Sequence, residues 1–288
     1  MLGGCSLKID GHEQTVHDSE AALALWYEAP KVCQLRREPL PKSAENDVLV
    51  RTLYSGISRG TEALIFRGLV PESEFERMRG PHMEGSFPFP VKYGYAAVGR
   101  IEAGPSHLIG REVFALYPHQ DRFVLPADQV TVLPETLPAR RAVLAANMET
   151  ALNIVWDAGI QPGDRVAVFG AGVVGTLVAY LASRIVGTET TIVDSNPGRQ
   201  ELAAALGLTF VRAGRLDGDF DVLVNATASA DALQDAIAHA GMEAKIVEAS
   251  WYGDRPVTVQ FGGAFHSRRL SLISSQVGAV PASRRARW

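Results

Sequence analysis

Cysteine is nearly absent from this chain. Only Cys5 and Cys33 occur in 288 residues, and they form no C-x-x-C and no metal-ligand spacing. A reducing cytoplasm is the expected compartment. Long apolar runs are missing too: none approaches the roughly 18–20 residues a membrane span needs. An excess of positive charge is also lacking. The net charge is −4, which leaves no electrostatic footprint for nucleic acid. The basic cluster Arg284, Arg285 and Arg287 reads as a solvated chain end. "LGGC" at 2–5 has neither a charged region nor an apolar region before it, so no signal peptide is expected. Residues 1–22 read as a loose N-terminal extension.

What is present is a chain 47% hydrophobic and 21% charged, enough for one large core or two modest ones. From about 23 to 138 it is β-rich. Short β-branched runs, "DVLVRTLY", "AAVGRIE", "REVFAL", "RFVLP" and "QVTVLP", are separated by Gly, Pro and Asp, the pattern of a small barrel or sandwich. The proline-bearing segment 68–90 is long for a structureless loop and is expected to be functional or partly helical. The period then changes. Over 139–159 a helix is predicted with Leu144, Met148, Leu152 and Val155 on one face and Gly159 as its cap. Strand and helix patterns alternate from there to about 275, which predicts a doubly wound parallel sheet. The fold class is therefore α/β: a β-rich domain at 23–138, then a sheet-and-helix domain at 139–275.

"VAVFGAGVVG" carries the most chemistry. Gly170, Gly172 and Gly175 stand in G-x-G-x-x-G spacing between an apolar strand and a helix. The expected helix face is Val174, Leu177, Val178, Leu181 and Ile185. Such glycines permit a tight turn, close approach to a pyrophosphate and close helix–strand contact. The helix start, Val173 and Val174, then faces the negative charge. Asp194 ends the next strand, where a carboxylate accepts from the adenosine ribose and repels a 2′-phosphate. A dinucleotide site is predicted. Asp194 favours NAD(H), while Arg199 leaves room for NADP(H).

This order of domains, with "SGISRGTE" (55–62), "PVKYGYAAVG" (90–99), "METAL" (148–152) and "SSQVG" (274–278), resembles the medium-chain dehydrogenase/reductase superfamily, the zinc-type alcohol dehydrogenase-like proteins. The first domain is then GroES-like and the second a Rossmann domain. "SGISRGTE", "YPHQDRF" and "GGAFHSRRLSLISSQVG" most resemble a zinc-poor branch containing the 3-hydroxyethyl bacteriochlorophyllide a dehydrogenases. Carried over by motif, the zinc-ligand positions are Ser58, Tyr95 and Ala146, none a usual zinc ligand. The four-cysteine lobe that holds a structural zinc is also missing. No zinc is expected.

The resemblance makes "GYAAVG" the wall of a site. Oxygen that gains charge during hydride transfer needs a donor. Tyr95 is the first candidate, with Ser58 and Glu62 as neighbours, and His119 and His266 as further proton carriers. Thr150 corresponds to the threonine beside the nicotinamide. Ala226, Thr227 and Ser250 end strands at the ligand edge of the sheet, and Trp251 and Tyr252 either line the substrate pocket or pack. Relatives continue some tens of residues past "SSQVG", so 276–288 is expected to begin a shortened return segment. The leading expectation is an NAD(H)-dependent, zinc-independent alcohol or carbonyl oxidoreductase. An enone or quinone reductase and a non-catalytic dinucleotide-binding protein are the alternatives. The expected partner is a small-molecule substrate, with no nucleic acid and no membrane; a homodimer is compatible with this reading.

Overall fold

The computed structural model describes residues 21–278 and 280–287. Most of the expected N-terminal extension, residues 1–20, therefore lies outside the described residues. The chain divides into two compact units, one ending at Ala146 and the other beginning at Asn147.

The first unit is antiparallel. Its strands are β1 (Ala21–Ala29), β2 (Val32–Pro39), β3 (Asp47–Ser55), β4 (Glu84–Gly85), β5 (Val91–Lys92), β6 (Ala97–Ala103), β7 (Glu112–Ala115), β8 (Arg122–Pro126) and β9 (Thr131–Val132). Helix α1 (Thr61–Arg67) follows β3, and α2 (Ala139–Ala142) follows β9. Two sheets form, ordered β2-β1-β5-β4 and β8-β3-β6-β7-β9. Alternation explains the larger one. Val48 and Val50 point inward with Ile101, Val113, Phe123 and Leu125, all at most 2% exposed, while the residues between them face out. The segment 68–90 contains a 3-10 turn at Glu72–Glu74, β4 and cis peptides before Pro88 and Pro90.

The second unit carries six parallel strands: β10 (Arg165–Phe169), β11 (Glu189–Asp194), β12 (Thr209–Arg212), β13 (Phe220–Asn225), β14 (Ala240–Glu248) and β15 (Ser271–Ser274). Their order is β12-β11-β10-β13-β14-β15. Its helices are α3 (Ala145–Ala158, which begins two residues before the division), α4 (Val173–Ala182), α5 (Gln200–Ala205), α6 (Ala230–Ala238) and α7 (Ala264–Ser267). Both sheet faces are covered. Val166, Val168, Val222 and Val224 pack with residues of α3 and α4 on one side. Ala167, Phe169 and Leu223, the intervening positions, pack with Leu233, Ala236 and Ile237 of α6 on the other. Successive side chains of one strand enter different cores, so the strands read as unbroken apolar runs.

Two helix faces differ from expectation. The predicted helix over 139–159 is broken at Val143–Leu144 into α2 and α3. The deepest face of α3 is Ala151, Ile154 and Ala158, each at most 1% exposed, while Leu144 is 37% exposed. Likewise α4 buries Val178, Ala179 and Ala182 completely. Val174, Leu177, Leu181 and Ile185 are only partly buried against that core, and Ile185 lies past the helix end. Alanine lets a helix axis approach the sheet, so small side chains take the deepest row and larger ones flank it. Gly159 does end α3 in the left-handed region, φ 65°.

Candidate functional site

In the second unit the glycine turn joins β10 to α4. Gly170 has φ 101°, and its N–H donates to the Val193 carbonyl at 2.7 Å. A Cβ on Gly175 would stand 1.9 Å from the Gly170 oxygen, so only glycine lets α4 start this close to the strand. A Cβ on Gly172, by contrast, meets nothing within 4 Å. The backbone there is open to a ligand at the start of α4. Asp194, at the end of β11, is part-buried and anchors the turn: Oδ2 accepts from the Ala171 N–H and Oδ1 from the Asn196 N–H, both at 2.7 Å. Of the two helix-start residues, Val173 is 54% exposed and Val174 packs into the core. Arg199 is half-buried in the turn leading into α5.

The strand ends named from the sequence do come together. Asn225, fully buried, donates from Nδ2 to Glu248 (2.7 Å) and to the Tyr252 hydroxyl (3.1 Å). Its Oδ1 accepts from the Thr227 hydroxyl at 2.7 Å. Ser250 Oγ accepts from the Ala228 N–H and donates to the Asn225 carbonyl, while Ala226 N–H continues the sheet pairing to Phe169. Tyr252 is thus tied into a polar network rather than loosely packed. Burial first, and then the Glu248 charge, holds its phenol protonated. Thr150 and Trp251 are half-buried, Thr150 on α3.

In the first unit, Tyr95, Ser58 and His119 gather around Glu62, a carboxylate only 2% exposed. Oε1 of Glu62 accepts from the Ser58 N–H at 2.7 Å. Oε2 accepts from the Tyr27 hydroxyl at 2.7 Å and meets His119 Nε2 at 2.6 Å. On its other side, His119 Nδ1 meets Ser55 Oγ at 2.5 Å. Tyr95 lies edge-on to Tyr93. Burial raises the Tyr95 phenol above its ordinary value, while hydrogen bonds from Ser58 and Thr61 pull the other way. The phenol therefore stays protonated at neutral pH with its oxygen accepting and its proton available.

His266 is not part of this cluster; it is exposed on α7 in the second unit. His82 stacks on Tyr117 at 4.8 Å. The sequence reading missed Ser55 and Tyr27 and treated Glu62 only as a neighbour. A glutamate in the first turn of a short helix, just after a strand end, was the available signal.

A zinc does not fit the donors present. Ser58 offers a hydroxyl, Tyr95 a buried protonated phenol and Ala146 no donor atom. Among the described residues no group of three or more His, Cys, Asp or Glu is placed to hold a metal ion. A dinucleotide does fit: the open Gly172, the first turn of α4 and Asp194 offer backbone donors and a carboxylate where phosphate and ribose require them. Among the described residues, no helix is long and apolar enough to cross a membrane.

An antiparallel GroES-like unit followed in the chain by a six-stranded Rossmann unit is a fold shared with solved dehydrogenases. Comparison with known proteins points the same way, although no protein-family model matches the chain. Over 113 residues it is 34% identical to D-xylulose reductase A of Aspergillus niger, covering 38% of this chain and 32% of that protein. Over 216 residues it is 24% identical to a zinc-type alcohol dehydrogenase-like protein of Haemophilus influenzae, covering 67% and 62%. The chain thus matches about a third to under two-thirds of these relatives' lengths. Among solved structures, a short chain alcohol dehydrogenase from E. coli CFT073 complexed with NADH superimposes with a TM-score of 0.71 at 18% identity, covering 92% of this chain and 85% of that one. The likeness to the superfamily therefore holds in sequence and in fold; no narrower branch emerges from it.

Proposed function

We propose that this chain is an NAD(H)-preferring alcohol or carbonyl oxidoreductase that works without a catalytic metal. The observation that carries the reading is the glycine turn: bare backbone at Gly172, no room for a side chain at Gly175, and Asp194 fixed beside them. Gly170, Gly172, Val173, Val174 and Gly175 would hold the pyrophosphate. Asp194 would hold the adenosine ribose, with Arg199 beside it, and Thr150, Ala226, Thr227 and Ser250 would border the nicotinamide. A bound nicotinamide supplies the two-electron acceptor or donor. The chain's own task is to manage the substrate oxygen.

Tyr95 suits that task. Its phenol is held neutral, and Ser58 and Thr61 orient it from the acceptor side, so it can donate to an oxygen gaining negative charge. An apolar alcohol, of the kind the bacteriochlorophyllide-dehydrogenase resemblance implies, is the proposed substrate class. The domain boundaries proposed for this activity are 23–138 and 139–275. The test is a screen of alcohols, ketones and enones with both cofactors, run in a strong chelator. Oxidation of an alcohol or reduction of a ketone with NAD(H) in chelator supports the reading. Reduction of enones alone makes the chain a C=C reductase. Loss of all turnover with chelator, restored by zinc, overturns metal independence.

A further inference from the structure

Resting on the oxidoreductase reading, we propose that Ser55, His119 and Glu62 form a proton relay, with Ser55 meeting the substrate hydroxyl and Glu62 and Tyr27 positioning His119. Ser55 is exposed at the end of β3, whereas His119 and Glu62 are 7% and 2% exposed. The contacts Ser55 Oγ–His119 Nδ1 (2.5 Å) and His119 Nε2–Glu62 Oε2 (2.6 Å) lead without a gap from the surface to a buried carboxylate.

Donor bookkeeping fixes the tautomer. Tyr27 donates to Glu62 Oε2, and the Ser58 N–H occupies Oε1. A carboxylate used throughout as an acceptor takes the Nε2–H of His119, which leaves a lone pair on Nδ1 for the Ser55 proton. Among the described residues, the Ala96 carbonyl, 3.3 Å from Ser55 Oγ, is the one competing acceptor for that hydroxyl. Tyr93 and Tyr95, the other titratable groups facing Tyr27 and Glu62, are held protonated by burial.

The position of the imidazole is built rather than incidental. The His119 N–H donates to the Tyr93 carbonyl, and its carbonyl accepts from the Leu25 N–H at 2.9 Å. Gly94, at φ 140°, lies under the ring: a Cβ there would come within 3.0 Å of His119 Cδ2 and Nε2. A bare backbone at 94 is what admits the histidine.

A bound nicotinamide would take the hydride that leaves the alcohol carbon as the O–H electron pair becomes the C=O bond, and the chain's own residues would take the proton. The hydroxyl proton passes to Ser55 Oγ, and the serine's own proton passes to His119 Nδ1. The resulting imidazolium faces the Glu62 carboxylate, the arrangement that stabilises such a charge. Carbonyl reduction runs the same path backwards. Once product has left, the proton returns through Ser55 to water.

The test uses Ser55→Ala, His119→Gln and Glu62→Gln in the full chain, with NADH affinity and kcat measured separately across pH. Each is expected to lower kcat by about 10²-fold or more while leaving NADH affinity near the parent's. Glu62→Gln keeps one acceptor oxygen of two and removes the charge that faces the imidazole, so it is also expected to weaken the hold on the Nε2–H form. The ¹⁵N shifts of His119 read this directly, with or without turnover. Ser55→Ala alters an exposed side chain and keeps the test alive if Glu62→Gln does not fold. A Ser55→Ala enzyme with the parent's kcat and pH profile, or a parent His119 in the Nδ1–H form, overturns the relay alone. A parent that binds NADH but turns over no alcohol or carbonyl sinks the oxidoreductase reading and the relay with it.

Discussion

Gly172 and Gly175 are three residues apart in one motif, yet alanine at each should produce opposite failures. At Gly175 the new Cβ falls 1.9 Å from the Gly170 carbonyl oxygen, with Ala226 Cβ at 3.5 Å. Ordinary contact begins near 3.4 Å, so the backbone of the turn must move by more than an ångström. Forced overpacking costs about 1–3 kcal/mol, and backbone on both sides of the clash places this case at the upper end. At about 4 °C per kcal/mol for a domain of this size, Gly175→Ala should lower Tm by on the order of 10 °C. At Gly172 the Cβ meets nothing, so Tm should stay within about 2 °C, a few tenths of a kcal/mol. The methyl instead occupies the space a pyrophosphate must approach, and NADH affinity should fall at least about tenfold, or ~1.4 kcal/mol. Differential scanning fluorimetry and NADH fluorescence titration on both variants read the two effects. A Gly175→Ala protein with parental Tm would refute the packing argument. Gly172→Ala with parental affinity would remove the phosphate from this loop.

Other consequences are as specific. Asp194→Ser should weaken NADH binding and raise the NADPH-to-NADH affinity ratio, as paired titrations will read; an unchanged ratio would end the role of Asp194 in cofactor choice. Tyr95→Phe keeps the ring and should lower kcat by about 10²–10⁴-fold with NADH affinity intact, whereas full kcat would return Tyr95 to packing. Purified protein should carry far less than one zinc per chain by elemental analysis, and stoichiometric zinc that survives chelation would mean the ligands lie elsewhere. Tyr117, stacked on Phe123, is pushed from 10.0 to about 12, first by burial and then by Glu84 and Glu38. A raised phenol adds stability in full below pH 10 and loses it as pH climbs through about 12. Urea unfolding should weaken across that window, and less steeply in Tyr117→Phe; equal slopes would contradict the burial effect.

The parallel sheet was legible because its strands are unbroken apolar runs and its first turn is rich in glycine. Packing depth was less so. Hydrophobic periodicity ranks Leu144 and Leu181 above Ala151 and Ala182, but close helix–sheet approach selects the small residues. β2, "VCQLRREP", alternates apolar and charged residues too weakly to stand out; it is fixed by pairing with β1 from Ala21↔Pro39 to Ala29↔Val32. The Rossmann contacts are local in sequence, since Gly170 and Asp194 are joined by one strand–helix–strand unit. The cluster around Glu62 is assembled from β1, β3, α1 and the segment before β8. No periodicity relates Tyr27, Ser55 and His119, so two of the three went unnoticed until the fold brought them together.

The second unit is expected to bind a nicotinamide dinucleotide at the Gly170–Gly175 turn, with Asp194 selecting NAD(H). Titrating the full chain with NADH and with NADPH, following nicotinamide fluorescence, decides this. Saturable binding with NADH the tighter ligand, lost in Gly172→Asp, is the predicted result; binding of neither, or binding unaffected by Gly172→Asp, would contradict it.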